Sequence, residues 1–207
     1  TAGPTYEAID PVRGITNISS GKMGYALAAA CAAAGAEVVL VSGPTRLTCP
    51  AGVTRVDVAS ARQMQTAVEE ALPGADVFIG VAAVADYRPA EVAADKIKKT
   101  GNDELVLRLV PNPDILAGVA ARADRPLCVG FAAESRNLAE YATKKLHGKK
   151  LDMVVGNLVQ DGMGGDHNTV VIFDHAGQHP LPRAAKERVA QGIVNHVVRL
   201  LNQSSNA

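Results

Sequence analysis

Short apolar segments that are closed by glycine or proline and separated by helical patterns constrain the fold of this chain more than any other feature. The run at 75–83 is apolar throughout and ends in small residues, which is typical of a strand buried on both faces. The run at 36–42 lies between Gly35 and the pair Gly43-Pro44, and is equally apolar. The predicted strands cover residues 36–42, 53–58, 75–83, 127–132, 151–155 and 170–173.

Helical patterns fill the intervals between these strands. Ser60 has the position of an N-cap and Pro73-Gly74 that of a stop signal. The predicted helices cover residues 22–34, 60–72, 112–121, 138–146 and 183–201. Strands that alternate with helices predict an α/β fold with a doubly wound, mostly parallel, Rossmann-like sheet. Ligands bind such sheets beyond the carboxyl ends of the strands.

The composition argues against several classes of function. The formal net charge is zero, so no field favours non-specific binding to nucleic acid or to an anionic membrane. Three Phe, four Tyr and no Trp provide no base-stacking platform. The cysteines, Cys31, Cys49 and Cys128, lack metal-binding or disulfide spacing, which favours a reducing cytoplasm. No apolar run approaches the roughly 18 residues of a transmembrane helix.

The stretch I-T-N-I-S-S-G-K-M-G at 15–24 predicts a loop that turns into a helix. Asn17, Ser19, Ser20 and Gly21 favour turns and helix N-caps, and an alanine-rich helical pattern starts at Lys22. A helix N-terminus offers free N–H groups and a positive dipole end to a phosphate or carboxylate, and Lys22 adds a full charge. The alternative is an ordinary capped helix.

Two segments interrupt the α/β pattern. Residues 87–110 combine a charged, glycine-containing stretch with an alternating apolar run at 105–110, which predicts a loop or β-arm over the end of the sheet. Residues 159–169 are rich in Gly and Asp and predict a loop. Long loops inside a compact domain are often functional.

Charged side chains mark the same end of the predicted sheet. Asp86 follows a strand directly and is a candidate ligand for Mg²⁺ shared with substrate phosphates, or a turn-forming residue. Lys96, Lys98 and Lys99 on the arm suit a polyphosphate, or form a solvated charge run. A second basic cluster near a helix C-terminus comprises Lys144, Lys145, Lys149 and Lys150.

Three familiar nucleotide-binding or catalytic motifs are absent or only partly matched. The dinucleotide fingerprint G-x-G-x-x-G follows no strand. A phosphate-binding P-loop does not fit, because Gly14 and Gly21 are too far apart and Met23 replaces the required Ser or Thr. Tyr141 and Lys145 match the Y-x-x-x-K of short-chain dehydrogenases, a pattern that recurs by chance on helix faces.

A set of short strings occurs in an order that carries a family resemblance. They are T-A-G-P-T, D-P-V-R, I-T-N-I-S-S-G-K-M-G, V-S-G-P, A-A-V-A-D-Y, D-K-I-K-K, N-P-D-I-L and V-G-F-A-A-E, with a late N-x-V segment. The chain resembles, over nearly its whole length, the phosphopantothenoylcysteine synthetase domain of bacterial bifunctional coenzyme A biosynthesis proteins. In that family a decarboxylase domain precedes this one, which accounts for a sequence that starts abruptly with turn residues.

The resemblance implies a single domain over 1–207 and a two-step ligation. CTP with Mg²⁺ activates the carboxylate of 4′-phosphopantothenate as an acyl-cytidylate and releases pyrophosphate. The amine of cysteine then attacks, forms the amide and releases CMP. A carboxylate is a poor electrophile, and the mixed anhydride supplies a good leaving group.

The resemblance also implies roles for individual residues. Asn17 would contact the acyl-cytidylate, Lys96 of D-K-I-K-K would be the catalytic lysine on a flap, and Asp86 would hold the cation. Ser19, Ser20, Gly21 and Lys22 would bind substrate. The expected nucleotide contacts are Gly80, Val81, Ala82, Ala83, Asp86, Lys96, Pro113, Asp114, Ile115, Leu116, Phe131, Lys145 and Lys149. Tyr6 and Gly14 depart from the side chains expected of the family, and neither is an expected contact.

The expected partners are the small-molecule substrates and a second copy of the chain. The family is dimeric, and the apolar runs at 105–110 and 170–173 are the candidates for that interface. Two other functions remain open from the residues alone. One is a short-chain NAD(P)-dependent oxidoreductase that uses Tyr141 and Lys145, and the other is a non-catalytic nucleotide-binding module.

Overall fold

The computed structural model describes residues 1–99, 101, 104–158 and 165–204. The strands are β1 (Tyr6–Asp10), β2 (Arg13–Thr16), β3 (Val38–Ser42), β4 (Val53–Asp57), β5 (Val77–Gly80), β6 (Tyr87–Pro89), β7 (Leu109–Pro111), β8 (Leu127–Glu134), β9 (Met153–Leu158), β10 (His167–Asp174) and β11 (Gly177–Ala185). The helices are α1 (Lys22–Ala33), α2 (Ala61–Ala71), α3 (Ile115–Ala120), α4 (Leu138–Gly148) and α5 (Lys186–Ser204).

Parallel strands form the centre of the molecule, as the sequence predicts. The largest sheet has the order β11-β10-β9-β8-β5, in which β5, β8 and β9 are parallel while β10 and β11 are antiparallel. The β3–β4 pair is also parallel. The first five residues connect the two groups, because the Ala2 N–H donates to the Val41 carbonyl at 2.9 Å and the Ala83 N–H donates to Gly3 at 2.9 Å.

Helices cover both faces of this sheet, which confirms the doubly wound arrangement. On one face α1 and α5 pack against β8, β9 and β10 through Leu27, Val155 and Ile193. On the other face α2, α3 and α4 pack through Met64, Val119 and Leu146. Apolar side chains fill both layers, so the central strands β8 and β9 are buried on both sides.

Local signals set several helix boundaries where the sequence places them. Ser60 caps α2, since its hydroxyl accepts from the Gln63 N–H and the Gln63 side chain accepts from the Ser60 N–H. Such a reciprocal capping box satisfies two otherwise unpaired donors. Asp114 caps α3, since its carboxylate accepts from the Ala117 N–H, and this helix begins at Ile115 instead of the predicted residue 112.

At two glycines a neighbouring group lies so close that no side chain would fit. An added Cβ at Gly43 would lie 1.7 Å from the Pro4 carbonyl oxygen, so T-A-G-P-T and V-S-G-P meet backbone to backbone. At Gly14 an added Cβ would lie 2.4 Å from the ring of Tyr6. Tyr6 and Gly14, the two departures from the family pattern, therefore belong to one contact, in which the tyrosine ring packs over the glycine.

Three strands were missed by the sequence patterns. β1 and β2 form a hairpin in a segment that had no predicted strand, and β11 replaces the predicted start of the last helix, which begins at Lys186 instead of residue 183. The run at 105–110 is a strand only at its end, where β7 pairs with β6. Of the loop predicted at 159–169, residues 159–164 lie outside the described residues, and 167–169 belong to β10.

The structure corrects the prediction that the run at 170–173 lies at a dimer interface. It lies inside β10, between β9 and β11, and Val170, Ile172 and Phe173 are buried within the subunit. Among the described residues, no helix has both the length and the apolar character needed to cross a bilayer.

Candidate active site

A cavity of about 510 Å³ opens at the carboxyl ends of β5 and β8. Its walls come from the β5–β6 connection, the N-terminus of α3, strand β8 and the C-terminal part of α4. Ten of the expected nucleotide contacts line it, namely Gly80, Ala82, Asp86, Pro113, Asp114, Ile115, Leu116, Phe131, Lys145 and Lys149. The fold thus collects segments that lie far apart in the sequence.

Three expected contacts are placed elsewhere. Val81 lines a second cavity on the other side of the extended segment, since neighbouring side chains there alternate in direction. Ala83 and Lys96 are absent from the described lining of the active-site cavity. The N-terminal segment holds the backbone of Ala83. The Ala83 N–H donates to the Gly3 carbonyl, and the Ala83 carbonyl accepts from the Thr5 N–H.

Lys149 and Asp114 form an ion pair at one wall of the cavity. The Lys149 ammonium donates to Asp114 Oδ2 at 2.5 Å, and both side chains are partly exposed. Burial opposes ionisation of Asp114, but the hydrogen bonds from Lys149 and the Ala117 N–H outweigh it and hold the pKa of the carboxyl below its usual range. Lys149 is therefore fixed at the cavity before any ligand arrives.

Lys145 lies deeper in the same wall. Its ammonium donates to the Phe131 carbonyl at the end of β8. Burial lowers the pKa of Lys145 and the nearby Lys149 charge lowers it further, while Asp114, Glu134 and Asp86 act in the opposite direction. A desolvated lysine of this kind attracts an anion in the cavity strongly, because little water screens its charge.

The opposite wall is built around Asp86. The Asn112 N–H donates to the Asp86 carbonyl at 2.7 Å, and the Asn112 side chain donates to Ala85 at 2.8 Å. The Arg88 guanidinium donates to Asn112 Oδ1 at 3.1 Å. Asn112 and Arg88 are positioning residues that no sequence pattern indicated, although Asn112 opens the N-P-D signal.

Asn17 approaches the β5–β6 connection from the loop before α1. Its side-chain amide donates to the Ala83 carbonyl at 3.0 Å. Gly21 is the N-cap of α1 in a left-handed conformation, and the hydroxyls of Ser19 and Ser20 lie at 3.4 and 3.5 Å from the N–H groups of Gly21 and Lys22. Lys22 is paired with Asp166 at 2.6 Å.

Lys96 is exposed on the arm, as are Lys98 and Lys99. The backbone beside Lys96 is held by the first hairpin, because the Ile97 N–H donates to Asp10 at 3.1 Å and its carbonyl accepts from Arg13 at 2.6 Å. The Arg13 guanidinium beside Asp10 holds the pKa of that buried carboxyl well below its usual range. We call this contact of Asp10, Arg13 and Ile97 the arm pin.

Another ionisable cluster lies at the β10–β11 hairpin. Asp174 accepts from His179 at 3.0 Å and from His196 at 2.7 Å. Among the described residues, these three form the cluster of side chains that are of metal-ligating types and lie close together. The Arg199 guanidinium donates to His196 Nδ1 at 2.6 Å, so the proton of a neutral ring is on Nε2. These hydrogen bonds join β10, β11 and α5 within the subunit.

Known proteins with similar sequences match almost the whole chain. The family model described as DNA/pantothenate metabolism flavoprotein C-terminal domain matches residues 1–201. The coenzyme A biosynthesis bifunctional protein CoaBC of Escherichia coli K12 is 50% identical over 204 residues, which are 96% of this chain and 50% of that protein. CoaBC of Bacillus subtilis is 43% identical over 209 residues, 99% of this chain and 51% of the relative. The chain thus spans about half the length of the relatives it matches.

Solved structures have the same fold. The crystal structure of the C-terminal domain of CoaBC is 43% identical, with a TM-score of 0.84, and the match covers 98% of this chain and 93% of that one. A Cab2 mutant in complex with phosphopantothenate-cysteine is 18% identical with a TM-score of 0.81, covering 98% and 85% of the two chains. At that identity the likeness shows the fold alone.

Proposed function

Because the chain belongs to the family of the C-terminal domain of coenzyme A biosynthesis bifunctional proteins, we propose that residues 1–207 form one phosphopantothenoylcysteine synthetase domain. It joins 4′-phosphopantothenate to cysteine through an acyl-cytidylate, uses CTP, and releases pyrophosphate and CMP. One observation carries this proposal. A single cavity collects ten of the residues that the family resemblance implies for the nucleotide.

The charges around the cavity suit this chemistry. A triphosphate and a carboxylate are both anionic, so bringing them together requires positive charge nearby. Lys145 and Lys149 supply it at one wall, and Lys149 is already oriented by Asp114. The compound named in the Cab2 complex, phosphopantothenate-cysteine, is the compound this ligation would make.

A magnesium ion fits the residues present. Asp86 lines the cavity with an exposed carboxylate, and its backbone is fixed by Asn112. Magnesium usually keeps several waters and is held by one or two carboxylates together with substrate phosphates, so a larger protein cage is not required. When bound, the ion would neutralise the phosphates and orient them, with Asp86 as its protein ligand.

CTP is the proposed nucleotide because the family resemblance implies it, and the small residues in the cavity support this choice. Gly80 and Ala82 line it directly, and the side chain of Leu116 closes over Gly80, where an added Cβ would lie 3.4 Å from Cδ1. Small side chains let backbone groups hydrogen-bond a pyrimidine edge and leave little room for a purine. ATP should therefore be a poorer substrate than CTP.

Asn17 and Lys96 are the proposed catalytic residues. The Asn17 amide donates to the carbonyl of Ala83, the residue after the cavity-lining Ala82, and from there it would contact the activated carbonyl. Lys96 is on the arm, and the arm pin fixes the backbone next to it. Closure of the arm would bring a mobile positive charge to the phosphate being transferred, where charge develops in the reaction.

A homodimer is the proposed assembly, with the arm at its interface. Leu105, Val106 and Leu109 are exposed on the arm, and Val106 is 83% exposed. Exposed apolar residues that lie close together in a chain favour association with another chain. Sedimentation of the wild type and of Val106→Asp, at equal concentration, tests this assignment.

Ligand-induced thermal shift is the direct test of nucleotide binding. CTP with Mg²⁺ should raise the melting temperature by mass action, whereas ATP should raise it less and NADPH should leave it unchanged. Stabilisation by NADPH alone would support the oxidoreductase alternative. That alternative has no support in the described cavity, which Tyr141 does not line, while Lys145 is bonded to the Phe131 carbonyl.

A further inference from the structure

The first residue of α5 is a buried lysine. Lys186 is 4% exposed, and it follows directly on Ala185, the last residue of β11. Burying an ammonium costs free energy that an apolar side chain of similar volume would not cost at the same position. We therefore expect the charge of Lys186 to serve a contact that an apolar side chain cannot make.

Lys186 holds the segment that leads into β10 by two hydrogen bonds. Its ammonium donates to the Gly165 carbonyl, and its backbone N–H donates to the Asp166 carbonyl at 2.9 Å. The pairing of β10 with β11 continues from there, since His167 is level with Ala185. Gly165 and Asp166 are thus fixed relative to the start of α5.

The Asp166 side chain extends from this segment to α1. Its carboxylate accepts from the Lys22 ammonium at 2.6 Å, across 144 residues of sequence. A second contact lies beside it, because the side-chain nitrogen of Asn168 is 4.0 Å from the sulfur of Met23. The start of β10 therefore meets the first turn of α1.

Asp166 lies close to both lysines. Burial lowers the pKa of Lys186, and the Lys22 charge lowers it further, whereas the charges of Asp166 and Glu187 raise that pKa. The hydrogen bond and the charge of Lys22 hold the pKa of the Asp166 carboxyl below its usual range, and Lys186 contributes to this effect. The ionised carboxylate thus offsets the repulsion between the two ammonium groups.

We propose that Lys186 and Asp166 are positioning residues that hold the Lys22 ammonium at the N-terminus of α1 for a phosphate group of a substrate. The inference rests on the proposed function, in which residues 19–22 bind substrate. The phosphate belongs either to the nucleotide or to 4′-phosphopantothenate, which share this chemistry. The two positioning residues act through Lys22.

A lysine that is held before binding loses less freedom when the phosphate arrives. An unrestrained lysine side chain samples many rotamers, and ordering it opposes binding. The anchored carboxylate of Asp166 restricts the Lys22 ammonium beforehand, and both side chains are accessible to solvent. An ammonium has three donors, so Lys22 can contact Asp166 and a phosphate at the same time.

The alternative is that Asp166 competes with the phosphate for Lys22. The two interpretations predict opposite signs for Asp166→Asn. A carboxylate beside a phosphate site repels the ligand, so under competition the loss of its charge strengthens binding. If Asp166 positions Lys22, the same variant weakens binding.

Titration calorimetry and steady-state kinetics with CTP–Mg²⁺ and with 4′-phosphopantothenate test the proposal. We expect Lys186→Met to raise the Kd and KM of one of these substrates about tenfold, with kcat within a factor of about three, because an oriented binding charge is lost. The substrate affected identifies the phosphate. The melting temperature should stay equal or rise, since a charge is no longer buried. Arg188→Met removes an exposed cation from the same turn of α5 and is the matched control, with unchanged constants.

A double variant separates positioning from a general loss of charge. Lys22→Met should weaken binding of the same substrate, and adding Lys186→Met should change it little, because the lysine that is held is gone. Full additivity would overturn the proposal. So would unchanged constants in Lys186→Met with a lower melting temperature, which would show a structural lysine only.

Asp166→Asn keeps the proposal falsifiable if Lys186→Met does not fold, because its side chain is exposed. The variant should raise the same Kd several-fold, and a lower or unchanged Kd would overturn the proposal. The calorimetric comparison does not depend on turnover. A wild type that binds both substrates but forms no amide would contradict the proposed ligation, while the Kd values of the variants would still decide on the positioning residues.

Discussion

The two groups of lysines near the active site differ in how the fold holds them. Lys145 and Lys149 belong to the wall formed by α4 and are tied to Phe131 and Asp114. Lys96 and Lys98 on the arm are exposed, and the structure fixes the backbone between them, at Ile97, rather than their side chains. The charges of the wall are already held at the cavity, whereas under the proposed function the charges of the arm would reach an anion when the arm closes.

This difference predicts a division of labour. Charges already in place stabilise the ground state and the transition state alike, so losing one weakens binding. A charge delivered by closure acts mainly where charge develops, so losing it slows chemistry. The wall should therefore set the KM for the nucleotide, and the arm should set kcat.

Replacing Lys96 by alanine should have the largest effect. We expect kcat to fall by about two to three orders of magnitude with little change in the KM for CTP. An exposed side chain buries little surface, so the melting temperature should stay within the error of wild type. Lys99→Ala is the matched control on the same arm and should retain most activity. Near-normal turnover of Lys96→Ala would reduce the arm to a solvated charge run.

Asn17→Asp should slow the second step more than the first, by about 100-fold. The new carboxylate cannot donate to Ala83 and opposes the negative charge that develops on the oxyanion as cysteine attacks. The acyl-cytidylate should then accumulate, which mass spectrometry can detect after mixing with CTP and phosphopantothenate. If the variant melts like wild type yet forms no intermediate, Asn17 acts in the first step instead.

Lys149→Ala should behave in the opposite way to Lys96→Ala. We expect the KM for CTP to rise about tenfold while kcat stays within a factor of about three, because a pre-oriented binding charge is lost. Steady-state kinetics at saturating phosphopantothenate and cysteine measure both constants. A fall in kcat with unchanged KM would remove the distinction between wall and arm.

The arm pin gives a smaller and more specific effect. Asp10→Asn weakens the contacts with Arg13 and Ile97, so the arm should close less often and kcat should fall several-fold. In the double variant with Lys96→Ala the second change should add almost nothing, since the lysine it positions is gone. Full additivity of the two effects would show that the pin acts on something other than Lys96.

The smallest effect concerns pH. The pKa of Lys145 is lowered, so the free enzyme loses this charge at a lower pH than an ordinary lysine would. The KM for CTP should therefore begin to rise earlier on the alkaline side than for a normal lysine. Lys145→Arg keeps its charge and should move the rise to higher pH. An unchanged alkaline profile in that variant would exclude Lys145 as the titrating group.

Local patterns predicted the parts of the fold that local physics determines. The capping box at Ser60, the apolar runs of β3 and β5, and the N-P-D start before α3 needed only neighbouring residues. The hairpin of β1 and β2 was missed because its pairing surrounds charged and turn-forming residues at Asp10 and Arg13. β11 was missed because Pro180 and Pro182 interrupt its pattern.

The site was predictable residue by residue only through the family resemblance. Motif order indicated Lys145, Lys149 and Asp114, which the cavity brings together. The arm pin could not be deduced in this way, because Asp10 and Ile97 are 87 residues apart and their contact depends on the folded hairpin. Val81 shows the remaining limit, since alternation along an extended segment turns its side chain away from the cavity it was assigned to.

Pyrophosphate release with cysteine withheld tests the proposed function most directly. With CTP, Mg²⁺ and 4′-phosphopantothenate, the protein should release about one equivalent of pyrophosphate per active site and hold the acyl-cytidylate. CMP and the amide should appear only when cysteine is added. Pyrophosphate release that requires cysteine from the start, or none with all three substrates present, would contradict the proposed ligation.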